Sequence, residues 1–152
     1  MRKAPNSNDA KTRSPRLDLA FESKPESADL AESQMIHFAA SALYTKQQCE
    51  EIGLAVRECV ANAVLHGNRG DPHKKVFLTA ELQAQGLVIR VRDEGEGFAP
   101  ESLPDPLVPP HLHRESGRGL LLVKTLMDEV ILRRAASGGM EVTMTKYRSR
   151  RA

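Results

Sequence analysis

Between Thr45 and His66 the apolar residues recur at helical spacing, with Ile52, Ala55, Val56, Cys59, Val60 and Ala63 on one stripe. Thr45 is a good N-cap for this helix, and Gly67 supplies its C-terminal stop. Upstream, Leu17-Asp-Leu-Ala-Phe21-Glu22 alternates apolar and polar residues as a short strand does. Pro25 then opens a helix reaching about Tyr44, with a predicted stripe of Leu30, Gln34, Ile36–His37, Ala40 and Leu43 and with His37 at the core edge. Downstream, Lys75–Gln83 and Leu87–Arg92 read as a hairpin bent at Gly86, with Arg90 and Arg92 facing outward. An apolar helix over Gly119–Met127, a strand over Glu129–Arg134, a turn at Ser137-Gly138-Gly139 and a last strand over Met140–Tyr147 complete the pattern. Hairpin strands with helices between them predict an α/β two-layer sandwich, a mainly antiparallel mixed sheet with helices on one face.

Composition narrows this picture. The 152 residues suffice for one domain with a proper core, residues 17–147, between a basic leader (1–16) expected to be disordered and a basic tail (148–152). No apolar run approaches a membrane span, and no secretory signal follows the basic start, so the expectation is a cytoplasmic protein. Cys49 and Cys59 stand about 15 Å apart along one helix, beyond disulfide reach, and read as reduced thiols. The net charge of +2 conceals a division, since residues 1–16 and 146–152 each carry +4. The remaining body holds 13 basic and 19 acidic residues, and aromatics are 4% of the chain. An acidic body without stacking platforms excludes direct nucleic-acid binding. The span Ala99–Ser116 holds five of the nine prolines without periodicity, as a lid or binding loop does. Arg69-Gly-Asp71 is an accident of turn composition.

Three stretches carry candidate chemistry. Glu58, Asn62 and His66 repeat every four residues along the edge of the apolar stripe, either as the wall of a polar pocket or as a solvated shoulder. Asp93-Glu-Gly95-Glu-Gly97 follows the Leu87–Arg92 strand. Its glycines admit a close ligand and its carboxylate can accept from an exocyclic amine, though a plain glycine turn has the same spelling. Gly117-Arg118-Gly119 precedes the apolar helix, where free backbone N–H groups and Arg118 would receive an anion, or where the helix simply starts flexibly. No Gly-x-x-x-x-Gly-Lys is present, which excludes a P-loop. His113-Arg-Glu lacks the other protein-kinase motifs, and His111-x-His113 lacks companions at metal-ligand spacing.

In this order, Glu58-x-x-x-Asn62, Asp93-x-Gly-x-Gly97 and Gly117-x-Gly119 resemble the N, G1 and G2 boxes of the GHKL (Bergerat-fold) ATPases. The phrasing Glu58-Cys-Val-Ala-Asn62-Ala-Val-Leu-His66-Gly67 and Gly117-Arg-Gly-Leu-Leu-Leu-Val-Lys-Thr-Leu-Met-Asp128 most resembles the anti-sigma-factor serine/threonine kinases, over roughly Leu17–Tyr147. The resemblance implies ATP and Mg²⁺ as cofactors, with Asn62 holding the ion and Glu58 as general base for a serine or threonine hydroxyl. It implies that Asp93 reads adenine with room from Gly95 and Gly97, that Gly117, Arg118, Gly119 and Leu120 close on the phosphates, and that His66 lines the pocket. A sigma factor and a small antagonist protein are the implied partners, and a homodimer the implied assembly. Gly139-Met140 stands where many relatives have Gly-Thr, and Thr143 faces the other side of its strand. Two rivals remain. One is the catalytic domain of a sensor histidine kinase, against which only about 44 residues precede the second helix. The other is a nucleotide-dependent module that sequesters a partner without phosphorylating it.

Overall fold

The computed structural model describes residues 14–96 and 115–148. Most of the basic leader, Gly97, His111, His113 and nearly all of the proline-dense span lie outside the described residues. The elements are β1 (Arg16–Glu22), α1 (Glu26–Ser41), α2 (Lys46–Asn62), β2 (Lys75–Leu82), β3 (Gly86–Arg92), α3 (Glu115–Leu126), β4 (Glu129–Arg134) and β5 (Met140–Tyr147). The strands form one sheet in the order β1-β2-β3-β5-β4. Expected as mainly antiparallel, its four pairings are all antiparallel. The β4–β5 hairpin folds back so that β5 inserts beside β3 and β4 takes the edge. Leu78, Ala80, Ile89, Val91 and Met144 on one face meet Met35, Ile52, Val56, Val60 and Val123 from the helices. This is the two-layer α/β sandwich predicted from the pattern. Arg90 and Arg92 lie on the other face as expected, with Arg92 stacked 4.4 Å from the Phe77 ring centroid. Among the described residues no helix is long and apolar enough to cross a membrane.

The phase of α1 differs from the expected one. Its buried residues are Ser27, Ala28, Ala31, Met35 and Ala39, whereas Leu30 is 53% exposed, Leu43 85%, and His37 and Ala40 also face solvent. Close packing with α2 falls at Ile36, where Gly53 leaves the room: a Cβ added at Gly53 would lie 2.6 Å from Ile36 Cγ1. The start of α2 follows the sequence closely. Thr45 Oγ1 accepts from the Gln48 amide at 3.1 Å, and the Thr45 amide donates back to Gln48 Oε1 at 3.0 Å.

Lys146, counted with the basic tail by charge, is instead 8% exposed on the core side of β5. Its Nζ donates to Glu51 Oε2 at 2.8 Å and to the Leu126 carbonyl, tying α2 and α3 to the sheet. Beside it, the Tyr44 hydroxyl donates to the Lys146 carbonyl and accepts from the Leu87 amide. The hydrogen bond from Lys146 holds the Glu51 carboxyl below its ordinary pKa. A lowered folded value means that this stabilisation is complete above the ordinary carboxylate range and is lost as pH falls through the folded value. Glu51→Gln should therefore cost about 1–2 kcal/mol at neutral pH. Urea denaturation would read this loss, and the two curves should converge in acid.

Candidate functional site

The last turns of α2 stand against α3, and there the side chains of Glu58 and Asn62 point at one backbone position. A Cβ added at Gly119 would lie 2.9 Å from Glu58 Oε2, 3.2 Å from Asn62 Nδ2 and 3.7 Å from Asn62 Oδ1. Any larger residue at 119 would displace the carboxylate and the amide together. α3 starts at Glu115, four residues before the expected Gly119. Gly117 and Gly119 therefore lie within the opening turns of the helix rather than ahead of it. The cost of two glycines there, about 0.5–1 kcal/mol each, is offset by burying Val123 and Met127 against the core.

After Asn62 the helix widens. The Asn68 amide donates to the Ala63 carbonyl at 2.8 Å, five residues back, which makes Ala63–Gly67 a π turn where a plain α-helix was expected. Such turns often occur at functional sites because they re-aim the side chains they carry. This one brings Gly67 against Asp93, where a Cβ at 67 would lie 2.1 Å from Asp93 Oδ2. Gly67 is thus more than a helix stop. Two further glycines enclose the same residue. A Cβ at Gly95 would meet the Gly67 carbonyl, and one at Gly139 the Asp93 carbonyl, each at 2.1 Å. Asp93 itself is 5% exposed, and its Oδ1 accepts from the Gly95 amide at 2.9 Å and the Met140 amide at 3.1 Å. With Oδ1 held by two backbone donors, Oδ2 is the oxygen turned toward Gly67.

Asn68, read from sequence as a turn residue, is 1% exposed. Its Nδ2 donates to Ser23 Oγ at 2.9 Å and to the Lys75 carbonyl at 3.0 Å, while its Oδ1 accepts from the Glu94 amide at 2.8 Å. This amide pins the strand end carrying Asp93 to the start of β2. Its only sequence signal is an Asn immediately after the helix stop.

Two cavities result. One, of about 460 Å³, is lined by His66, Gly67, Lys74, Asp93, Glu96 and Met140 among others. The second, of about 350 Å³, is lined by Glu58, Ala61, Asn62, Leu65, His66, Arg118, Gly119 and Leu122. His66 lines both and joins them. Of the candidate residues, Glu58, Asn62, His66, Arg118 and Gly119 meet in one cavity and Asp93 in the other, with Gly95 packed beside Asp93. Leu120 is half-buried on α3 and lines neither of these two cavities. Thr143 sits on the opposite face of β5 from Met140, as its parity requires. Cys59, behind Glu58 in the core, is pushed up to about 12 by burial and is chemically inert.

An amide beside a carboxylate, facing backbone that a Cβ would fill, suits Mg²⁺, which takes few protein ligands and relies on phosphates and water.

Residues 21–146 match the family described as the histidine kinase-like ATPase domain. An anti-sigma F factor of Oceanobacillus iheyensis is 34% identical over 137 residues, covering 88% of this chain and 93% of that protein. A serine-protein kinase RsbW of Listeria innocua is 29% identical over 138 residues, 87% of each. Among solved structures, the RsbU and RsbW domains of a Mycobacterium tuberculosis protein superpose with a TM-score of 0.66 at 22% identity. That match covers 91% of this chain and 34% of the longer one, and it bears on the fold alone.

Proposed function

We propose, for a chain that belongs to the histidine kinase-like ATPase family, the activity of an ATP-dependent serine/threonine kinase that acts as an anti-sigma factor. The names of its relatives, anti-sigma F factor and serine-protein kinase, support both halves of this reading. The observation that carries the chemistry is the convergence of Glu58 and Asn62 on Gly119, one cavity away from the caged Asp93.

In this reading Asp93 Oδ2 accepts from the exocyclic amine of adenine, and Gly67, Gly95 and Gly139 let the backbone close around Asp93 and hold its carboxylate in place. Met140 gives that end an apolar wall in place of a hydroxyl. The triphosphate extends past His66 toward Gly117, Arg118 and Gly119, whose backbone and cation neutralise its charge. Mg²⁺, when bound through Asn62 Oδ1, supplies charge neutralisation on the phosphates. Glu58 takes the proton of a serine or threonine hydroxyl as that oxygen bonds to the γ-phosphorus. The bridging bond to the β-phosphate breaks, and ADP leaves. The protein substrate is a small antagonist, the sequestered partner is a sigma factor, and the kinase works as a homodimer in the cytoplasm. Gly97 and the proline-dense span, which lie outside the described residues, belong to this pocket in the family resemblance.

Thermal denaturation with MgATP tests the nucleotide half directly. A ligand at 100 times its Kd stabilises by about 2.7 kcal/mol, and the melting temperature should rise by several degrees. A chain that melts at the same temperature with and without MgATP would not be an ATP-binding protein.

A further inference from the structure

Resting on the nucleotide reading above, we propose that Lys74 determines the choice of base, its ammonium donating to a ring nitrogen beside the exocyclic amine that Asp93 accepts. The cavity of Asp93 measures about 460 Å³, a size that encloses one small molecule. Its buried wall holds one acceptor of defined aim, Asp93 Oδ2, because Oδ1 already takes the Gly95 and Met140 amides. An amine bonded to Oδ2 fixes a single position on the edge of the base. The neighbouring position is read by whichever donor the cavity still has free.

Most of its lining has none. The Asn68 side chain is fully engaged by Ser23, the Lys75 carbonyl and the Glu94 amide. The Met140 amide is held by Asp93, and its thioether does not donate. The ionised carboxylates of Asp71 and Glu96 only accept. His66 and Arg69 are exposed, and His66 stands where this cavity meets the next. Lys74 is half-buried in the wall, and its Nζ has no hydrogen-bond or ion-pair partner among the described residues. Its backbone is fixed on both sides, the amide donating to the Asp71 carbonyl at 3.1 Å and the carbonyl accepting from Ser23 Oγ. The root of the side chain is therefore held while the ammonium is left for a ligand. That ligand group is the base and not the phosphates, since Lys74 does not line the cavity of Glu58, Asn62 and Gly119. A carboxylate and an ammonium together read a donor beside an acceptor. Adenine offers that pair on both edges of its amine, with N1 on one side and N7 on the other. On its pairing edge guanine sets a second N–H beside its amine, and an ammonium has no lone pair to receive it.

The test is calorimetric titration of the full chain, in Mg²⁺, with ATP, 1-deaza-ATP, 7-deaza-ATP and GTP. At least one deaza analogue should bind the unmutated chain about tenfold more weakly than ATP, because it lacks the acceptor that the site is built to meet. Which analogue is weakened identifies the edge. Lys74→Met, which keeps an unbranched stem without the charge, should bind ATP about tenfold more weakly. It should also bind that analogue as well as ATP, and its preference for ATP over GTP should fall about tenfold. A structural or phosphate-binding lysine would weaken ATP and its analogues alike and leave these ratios unchanged. Full affinity of the unmutated chain for both deaza analogues, or unchanged ratios in Lys74→Met, would overturn the assignment. Absence of MgATP binding in the unmutated chain would instead remove the nucleotide reading on which it rests.

Discussion

Glu58→Gln should slow phosphoryl transfer by about 10²–10⁴-fold, the usual range for losing a positioned general base, with little change in affinity for ATP. The two effects separate because Glu58 acts on the acceptor hydroxyl, whereas the nucleotide is held from Asp93 at one end and Asn62 and the α3 backbone at the other. Glutamine keeps the shape that fits against Gly119, where Glu58 Oε2 would lie 2.9 Å from an added Cβ. The substitution therefore removes proton acceptance without opening a hole. Single-turnover transfer of radiolabelled phosphate, alongside a calorimetric titration with ATP, measures both quantities. Transfer at the unmutated rate would take Glu58 out of the reaction and favour a nucleotide-dependent sequestering module.

Gly67→Ala should weaken ATP binding by about 100-fold or more, although it adds only a methyl group and leaves every proposed contact residue in place. The new Cβ would stand 2.1 Å from Asp93 Oδ2, and the strand end has no slack to yield. Asp93 is fixed by donors from Gly95 and Met140, and the next residue is fixed by Asn68. Hydrogen bonds to charged groups contribute about 1.5–3 kcal/mol each, so turning the carboxylate away costs stability as well as affinity. The variant should also melt several degrees below the unmutated chain without ligand. Unchanged ATP affinity would mean that Asp93 does not read the base.

The hydrophobic pattern made the fold legible because β2 buries alternate residues and α2 keeps a clean stripe. Val76, Leu78 and Ala80 face inward opposite Val91 and Ile89, as their period of two requires. It failed on α1, where Leu30 and Leu43 are expected inside but Ala28, Ala31, Met35 and Ala39 are buried and Ile36 packs into the space left by Gly53; hydropathy alone does not register how closely two helices pack. In the site, the residues that point into the cavities were legible from their spacing. Those that hold them were not. Asn68 and Gly67 read as ordinary turn chemistry, and Gly139 as half of a turn pair, because their roles depend on a long-range approach to Asp93. The π turn had no signal either, since one extra residue per turn leaves no periodicity in five residues. Lys146 looked like tail charge until its pairing with Glu51 placed it inside.

The central claim is that the Asp93 cavity and the Glu58–Asn62–Gly119 cavity are two ends of one nucleotide pocket joined at His66. A crystal structure of the chain with magnesium and a non-hydrolysable ATP analogue tests it most directly. The account predicts the adenine amine on Asp93 Oδ2, the metal on Asn62 Oδ1 and the γ-phosphate beside Glu58. A nucleotide bound in the reverse sense, or seated away from both cavities, would contradict it.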